Sequence, residues 1–236
     1  MRWQLVGRSN SYIHAFSTYT LASLIRTVKS GNYWTVHELA AYNIRVEPQD
    51  AATFFGTPVL PDPVLSPAEV LKAARAGQAS SDDGYLFLRT LELAMAIRPD
   101  EESAVVDFVV ALFRACDKRH MEGSNPEPQV IAEAIASFAA NNRTRVRTLG
   151  LPPLQYKVMP GITLTGTTPT FYKISVSIDL VTAVQRSVYP QEETVVHVHV
   201  PALPRPARRW NEGMKPLDNR RTILSCYEAF KQFVNQ

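Results

Sequence analysis

An α/β fold of the α+β kind, a mixed sheet flanked by helices, is predicted from a change of period along the chain. Between residues 85 and 141 apolar residues recur at three- and four-residue spacing; from Lys157 to Ser177 two strand-like runs are joined by Gly166-Thr167-Thr168-Pro169, a hairpin signal. Helical spacing returns from Asp218 to Val234, so the sheet is expected to lie between helices.

The elements follow in order. Ile13, Phe16, Leu21, Leu24, Ile25 and Val28 lie near helical spacing, and Gly31 is placed to stop that helix. Thr35 and Glu38 have the form of a capping box ahead of Leu39, and a short helix is expected over 49–55. Four prolines, Pro58, Pro61, Pro63 and Pro67, make the next segment a linker or arm, because proline removes an amide donor and fixes φ. Ser66, Pro67 and Glu69 then predict a capped helix to Ala76, and the polar stretch from Gly77 to Gly84 marks a boundary. Residues 1–80 are thus expected to be an all-helical N-terminal region with a proline-rich linker, and 81–236 an α/β core.

Within that core, helices are predicted over 85–97 and 101–116, separated by Pro99. Val105, Phe108, Val109, Leu112 and Phe113 form the buried stripe of the second. A helix opening at Pro126 and ending near Asn141-Asn142 is expected to face inward through Ile131, Ile135 and Phe138, packed on a sheet containing Gly161 to Leu164. After the hairpin come a short helix over 179–186, a strand over 194–200, an extended run from Pro201 to Pro206, and a final helix facing inward through Ile223, Leu224, Tyr227 and Phe230.

Composition narrows the class. The chain has 236 residues, 45% hydrophobic and 20% charged, as in ordinary globular proteins, and no run reaches the roughly 18 apolar residues of a membrane helix. Two cysteines, Cys116 and Cys226, without metal-ligand spacing, fit a reducing compartment; the expected location is intracellular, cytoplasmic or nuclear. The first 37 residues lack Asp and Glu, as mitochondrial transit peptides do, but the amphipathic pattern from Asn10 to Val28 favours a folded helix over import. The net charge is only +3, yet arginines cluster at Arg143/Arg145/Arg147, Arg205/Arg208/Arg209 and Arg220/Arg221. Such clusters bind phosphate when they are not solvated turns and helix ends.

The order of helix 101–116, Asp117-Lys118, helix 126–141 and the pair Gly161–Gly166 and Phe171–Ile174 resembles the core of the PD-(D/E)XK restriction-endonuclease-like superfamily. The whole chain is similar to a family of fungal proteins without an established activity, in which the equivalent of Asp117-Lys118-Arg119-His120 follows a strand ending in Glu. The resemblance implies a metal held by an upstream Asp and the Glu of Glu-x-Lys, with the lysine activating water. Acid and lysine two apart share one face of a strand. Here Cys116 stands two before Lys118, and Asp117, adjacent to it, points to the other face of a regular strand. Only three residues separate Phe113 from Asp117, against the roughly 15–25 that two strands and a turn require. The site is degenerate and the metal-bearing strands are missing at that point.

Other sites are weaker. His197 and His199 would share a strand face, as metal ligands do, but no third ligand is near in sequence. Gly161 to Thr168 has the glycine spacing of a phosphate loop with Thr167 in the lysine position, and is read as a hairpin. The sequon Asn142-Arg143-Thr144 is expected to be unused. Asp117 and Lys118 remain the only catalytic candidates. The expected function is a non-catalytic nucleic-acid or protein interaction module without a cofactor, with phosphate contacts at Lys118, Arg119, Arg143, Arg145 and Arg147. Two alternatives stay open: a magnesium-dependent nuclease with a migrated carboxylate, and a structural remnant. No membrane partner is expected. Incomplete cover of helix 101–116 points to self-association.

Overall fold

The computed structural model describes residues 29–64, 67–96, 102–116 and 126–234; the expected helix from Asn10 to Val28 and the segment Asp117–His120 lie outside them. Among the described residues four strands form one mixed sheet in the order β1-β4-β3-β2, flanked by helices as expected. β2 (Tyr156–Thr165) and β3 (Thr168–Ser177) are the predicted hairpin, antiparallel from Tyr156 opposite Ser177 to Thr165 opposite Thr168. β4 (Thr194–His199) runs antiparallel to β3, with Phe171 opposite His199.

β1 (Ile44–Pro48) corrects the expectation of an all-helical N-terminal region. It pairs parallel with β4, Ile44 opposite Thr194 and Glu47 opposite His197. Its alternation of Ile44 and Val46 with Arg45 and Glu47 spans only five residues, and its partner lies some 150 positions away. Residues on both sides of position 80 therefore share one sheet, and they share both apolar cores.

Alternation assigns the two sheet faces. Tyr172, Ile174, Val176, Val196 and Val198 look toward α1 (Val36–Ala41) and α5 (Pro126–Arg147), where Leu39, Ile131, Ile135 and Phe138 are buried. Each such side chain is worth roughly 1.5–3 kcal/mol. Gly161 permits this approach: a Cβ there would come within 3.0 Å of Val130 Cγ2 and 3.2 Å of Ile174 Cδ1. The capping box of α1 forms as predicted, Glu38 accepting from the Thr35 amide at 2.8 Å.

The opposite face carries Phe171 and His199 under α2 (Ala51–Phe55), α3 (Asp82–Ala94), α4 (Glu102–Cys116) and α8 (Leu217–Val234). Phe54, Phe55, Phe87, Phe108, Tyr227 and Phe230 fill this core with edge and stacked ring contacts. Phe108 and Leu112 of α4 are fully buried, whereas Val106 and Val110 on its outer side are 44% and 46% exposed. No helix among the described residues is long and apolar enough to cross a membrane.

Three local outcomes differ from expectation. The helix predicted from Ser66 to Ala76 is instead two 3-10 turns, Ala68–Leu71 and Ala76–Gln78. The cause is competition for its backbone: the carbonyls of Val70 and Ala73 accept from the Arg220 guanidinium at 2.8 and 2.7 Å, and the Ala74 amide donates to Gln78 Oε1. Glu69, expected to cap its own helix, instead accepts from the backbone amides and hydroxyls of Ser80 and Ser81 at the start of α3. Gly84 makes room for it, since a Cβ would stand 1.9 Å from the carboxylate.

Helix α5 also runs past Asn142 to Arg147, ending only before Gly150 at φ +63°. Asn142 does not interrupt it because its amide is buried and doubly used, accepting from Leu154 N at 2.8 Å and donating to Leu154 O at 2.9 Å. The same bonds engage the sequon's amide nitrogen. The hairpin reading of Gly161 to Thr168 holds: Gly166 turns the chain at φ +56°, and buried Thr167 accepts from the Met214 amide at 2.9 Å.

Candidate functional site

The expected phosphate and catalytic residues are not all within view: Asp117, Lys118 and Arg119 lie outside the described residues, leaving the arginine clusters and the histidine pair to be placed.

The histidines share a sheet face, as alternation requires, but not an environment. His199 is 3% exposed, held by Nδ1 donating to Gln49 O at 3.0 Å, with Nε2 3.9 Å from Cys226 Sγ and the Phe54 and Phe55 rings beside it. Burial pushes its pKa below the ordinary 6.5. His197 is half-buried and lines a cleft. Both His199 nitrogens face inward, so the two rings present no bidentate pair to solvent. No group of three His, Cys, Asp or Glu suited to a metal occurs among the described residues. Lys173, opposite His197, donates to Phe54 O at 2.7 Å and lies 4.6 Å from the Phe54 ring centroid; burial lowers its pKa.

Two of the three arginine clusters are spent within the fold. Arg205 donates to Glu212 at 2.6 Å and forks onto Asp218 at 2.8 and 2.7 Å; Arg208 stands 3.6 Å from the same Glu212. Arg209, at the start of the short helix α7 (Arg209–Glu212), donates to Pro201 O and lies over Trp210. Arg220 is fully buried and donates to the backbone carbonyls of Met214, Val70, Ala73 and Lys215. Burial brings its pKa down to about 10, so it is still a cation at neutral pH. Arg221 is 3.9 Å from Asp62.

The third cluster behaves differently, and the helix decides how. At 3.6 residues per turn Arg143 and Arg147 fall on one face, while Arg145 is rotated about 200° from Arg143. Arg145 donates to Pro152 O at 3.2 Å and so braces the loop after the helix. Arg143 and Arg147 are exposed and form no hydrogen bond or ion pair among the described residues. They line a pocket of about 300 Å³ between α5 and α6 (Ile178–Arg186), with Phe138, Ile178 and Val181 as apolar floor, Pro153 as a wall, and Thr182 and Gln185 opposite. No carboxylate is among its lining residues. The Thr182 hydroxyl is committed to Ile178 O, whereas Gln185 is exposed. Sequence reasoning missed Thr182 and Gln185, although their spacing of three on a short amphipathic helix places them together on its outer face.

A larger cleft of about 660 Å³ opens on the other side of α6, over the uncovered part of the sheet with Tyr156, Ser175 and His197. Asp179, Glu192 and Glu193 outnumber Arg186 along it, with Glu193 also 3.1 Å from Arg45. Size favours this cleft, but its charge opposes phosphate. The smaller pocket has the electrostatics an anion requires.

No protein-family model, no curated protein and no solved structure matches the chain.

Proposed function

We propose that the protein is a non-catalytic nucleic-acid interaction module that binds phosphate through Arg143 and Arg147. One observation carries this: among the described residues, of three arginine clusters only this one presents two guanidinium groups on a common face without carboxylate partners, at the rim of a pocket. Arginine forks match phosphate oxygens, and unpaired cations release counterions when they meet a nucleic-acid backbone. Lys118 and Arg119 are assigned as further phosphate contacts, by their charge alone.

The test is oligonucleotide binding by fluorescence anisotropy across a salt series, with and without magnesium. Wild-type protein is expected to bind with log K falling against log salt, and R143A/R147A to lose about 1.4 from that slope, taking ~0.7 for each single-strand phosphate contact. Identical slopes for the two proteins would refute it. Magnesium-dependent cleavage that disappears in Lys118→Ala would replace it with the metal-dependent nuclease.

A further inference from the structure

The pocket beside the two arginines has a shape as well as a charge. We infer that it takes one nucleotide of a single strand, phosphate on Arg143 and Arg147 and base on the apolar floor between α5 and α6, and so selects single-stranded over duplex nucleic acid. This rests on the phosphate-binding function proposed above and specifies its ligand.

Three features lead there. The volume, about 300 Å³, lies at the lower end of cavities that hold small ligands. The accessible lining is apolar: Val146 is 49% exposed and Ala139 and Ile178 are partly exposed above the buried Phe138 and Val181, so a flat ring gains contact area there without displacing a polar group. The walls are braced by the paired bonds between Asn142 and Leu154 and by Arg145 on Pro152. Binding into a preformed pocket loses little to ordering. The Gln185 amide, at the edge, offers both a donor and an acceptor to a base edge.

Duplex geometry cannot use this pocket. Paired bases are held in the stack, and bringing one to the floor while its phosphate sits on the arginines costs unstacking and unpairing, a few kcal/mol. Unpaired bases are already free to splay onto apolar and aromatic surfaces. An acidic peptide is the other anion that two arginines admit, but its carboxylates bring nothing suited to an apolar floor.

The experiment uses the full chain and four probes: an eight-nucleotide single strand of mixed sequence, its duplex, tripolyphosphate, and an octaglutamate peptide. The single strand is expected to bind at least tenfold more tightly than each of the others. Ala139→Leu, which places an isobutyl group in the pocket, should bring the strand down to the duplex level and leave duplex affinity unchanged. If that variant does not fold, Val146→Leu at the exposed rim carries the same expectation. R143A/R147A should weaken every probe. Equal affinity for strand and duplex, equal affinity for octaglutamate or tripolyphosphate, or a strand preference surviving the filled pocket would each overturn the inference while leaving phosphate binding intact. Insensitivity of all four probes to R143A/R147A would instead remove the function beneath it.

Discussion

Arg220 and the pair Arg143/Arg147 are the same residue type at two extremes of environment. Arg220 is sealed from water, and its donors hold the turns around Val70 and Ala73 to the start of α8 and to Met214 and Lys215. Arg143 and Arg147 hold nothing among the described residues and face solvent at a pocket. A cluster of positive charge in a sequence is therefore two different statements. Where acceptors inside the fold engage the guanidinium, it is structure; where they do not, it is available to a ligand.

The first way to break the comparison is to remove Arg220. Arg220→Met leaves three buried carbonyls and the partly buried Lys215 carbonyl without their donor, and each buried acceptor left unsatisfied costs roughly 1–3 kcal/mol, offset in part because the variant no longer buries a charge. The midpoint of urea unfolding should fall accordingly, and Arg220→Lys should recover only part of it, since an ammonium cannot reach the same four acceptors in a fork. A midpoint within experimental error of wild type for Arg220→Met would mean that these bonds contribute nothing net.

Asn142 stands between the extremes, buried like Arg220 but at the edge of the pocket. Asn142→Ala strands the amide and carbonyl of Leu154, for which a loss of about 2 kcal/mol is expected. Because Leu154 adjoins Pro153 at the pocket wall, the same variant should weaken single-strand binding at a temperature where it is still folded. A stability loss with unchanged binding would separate the wall from the site.

How much of this could be read beforehand differs sharply between fold and site. Helix α5, the β2–β3 hairpin and α8 are long and strongly periodic, and the residues predicted to face inward from the two helices are buried. β1 is short and paired parallel across some 150 positions, so its alternation had no local turn to support it. The burial of Arg220 did have a signal: it lies three, four and seven residues before Ile223, Leu224 and Tyr227, on the stripe assigned inward, while Arg221 does not. The pocket was only half legible. Arg143 and Arg147 were named with Arg145, but that they converge while Arg145 turns away follows from α5 continuing past Asn142. Glu69 was misassigned because its partners, Ser80 and Ser81, lie eleven and twelve residues on, beyond any capping pattern.

A smaller effect comes from acid. Burial depresses the His199 pKa below its unfolded value of 6.5, with Cys226 beside its ring and Asp50 and Arg209 the charged groups acting on it. The unfolded chain therefore binds the proton first: the stabilisation is complete above pH 6.5 and is lost as pH falls through the folded value. His199→Phe, among Phe54 and Phe55, should flatten the fall in urea midpoint between pH 7 and 5. Glu69, held at about 2 by hydrogen bonds from Ser80 and Ser81, acts lower; its stabilisation is lost between pH 4.5 and 2. An unchanged slope in His199→Phe would assign the acid loss above pH 5 to other groups.

The smallest expected effect sharpens the comparison most. Arg143 and Arg147 are exposed and lack partners among the described residues, so R143A/R147A removes no contact seen there beyond their favourable placement in the last turns of α5. That placement, near the negative end of the helix dipole, is worth at most a few tenths of a kcal/mol for each arginine at ordinary salt. Alanine, the best helix former, returns a similar amount. The unfolding midpoint should therefore move by no more than about 0.5 kcal/mol in either direction, as for surface sites generally, while oligonucleotide affinity falls. A loss above roughly 1 kcal/mol, against this surface range, would show that the pair holds the fold as Arg220 does, and the distinction between spent and available arginines would fail at the one place where it assigns function.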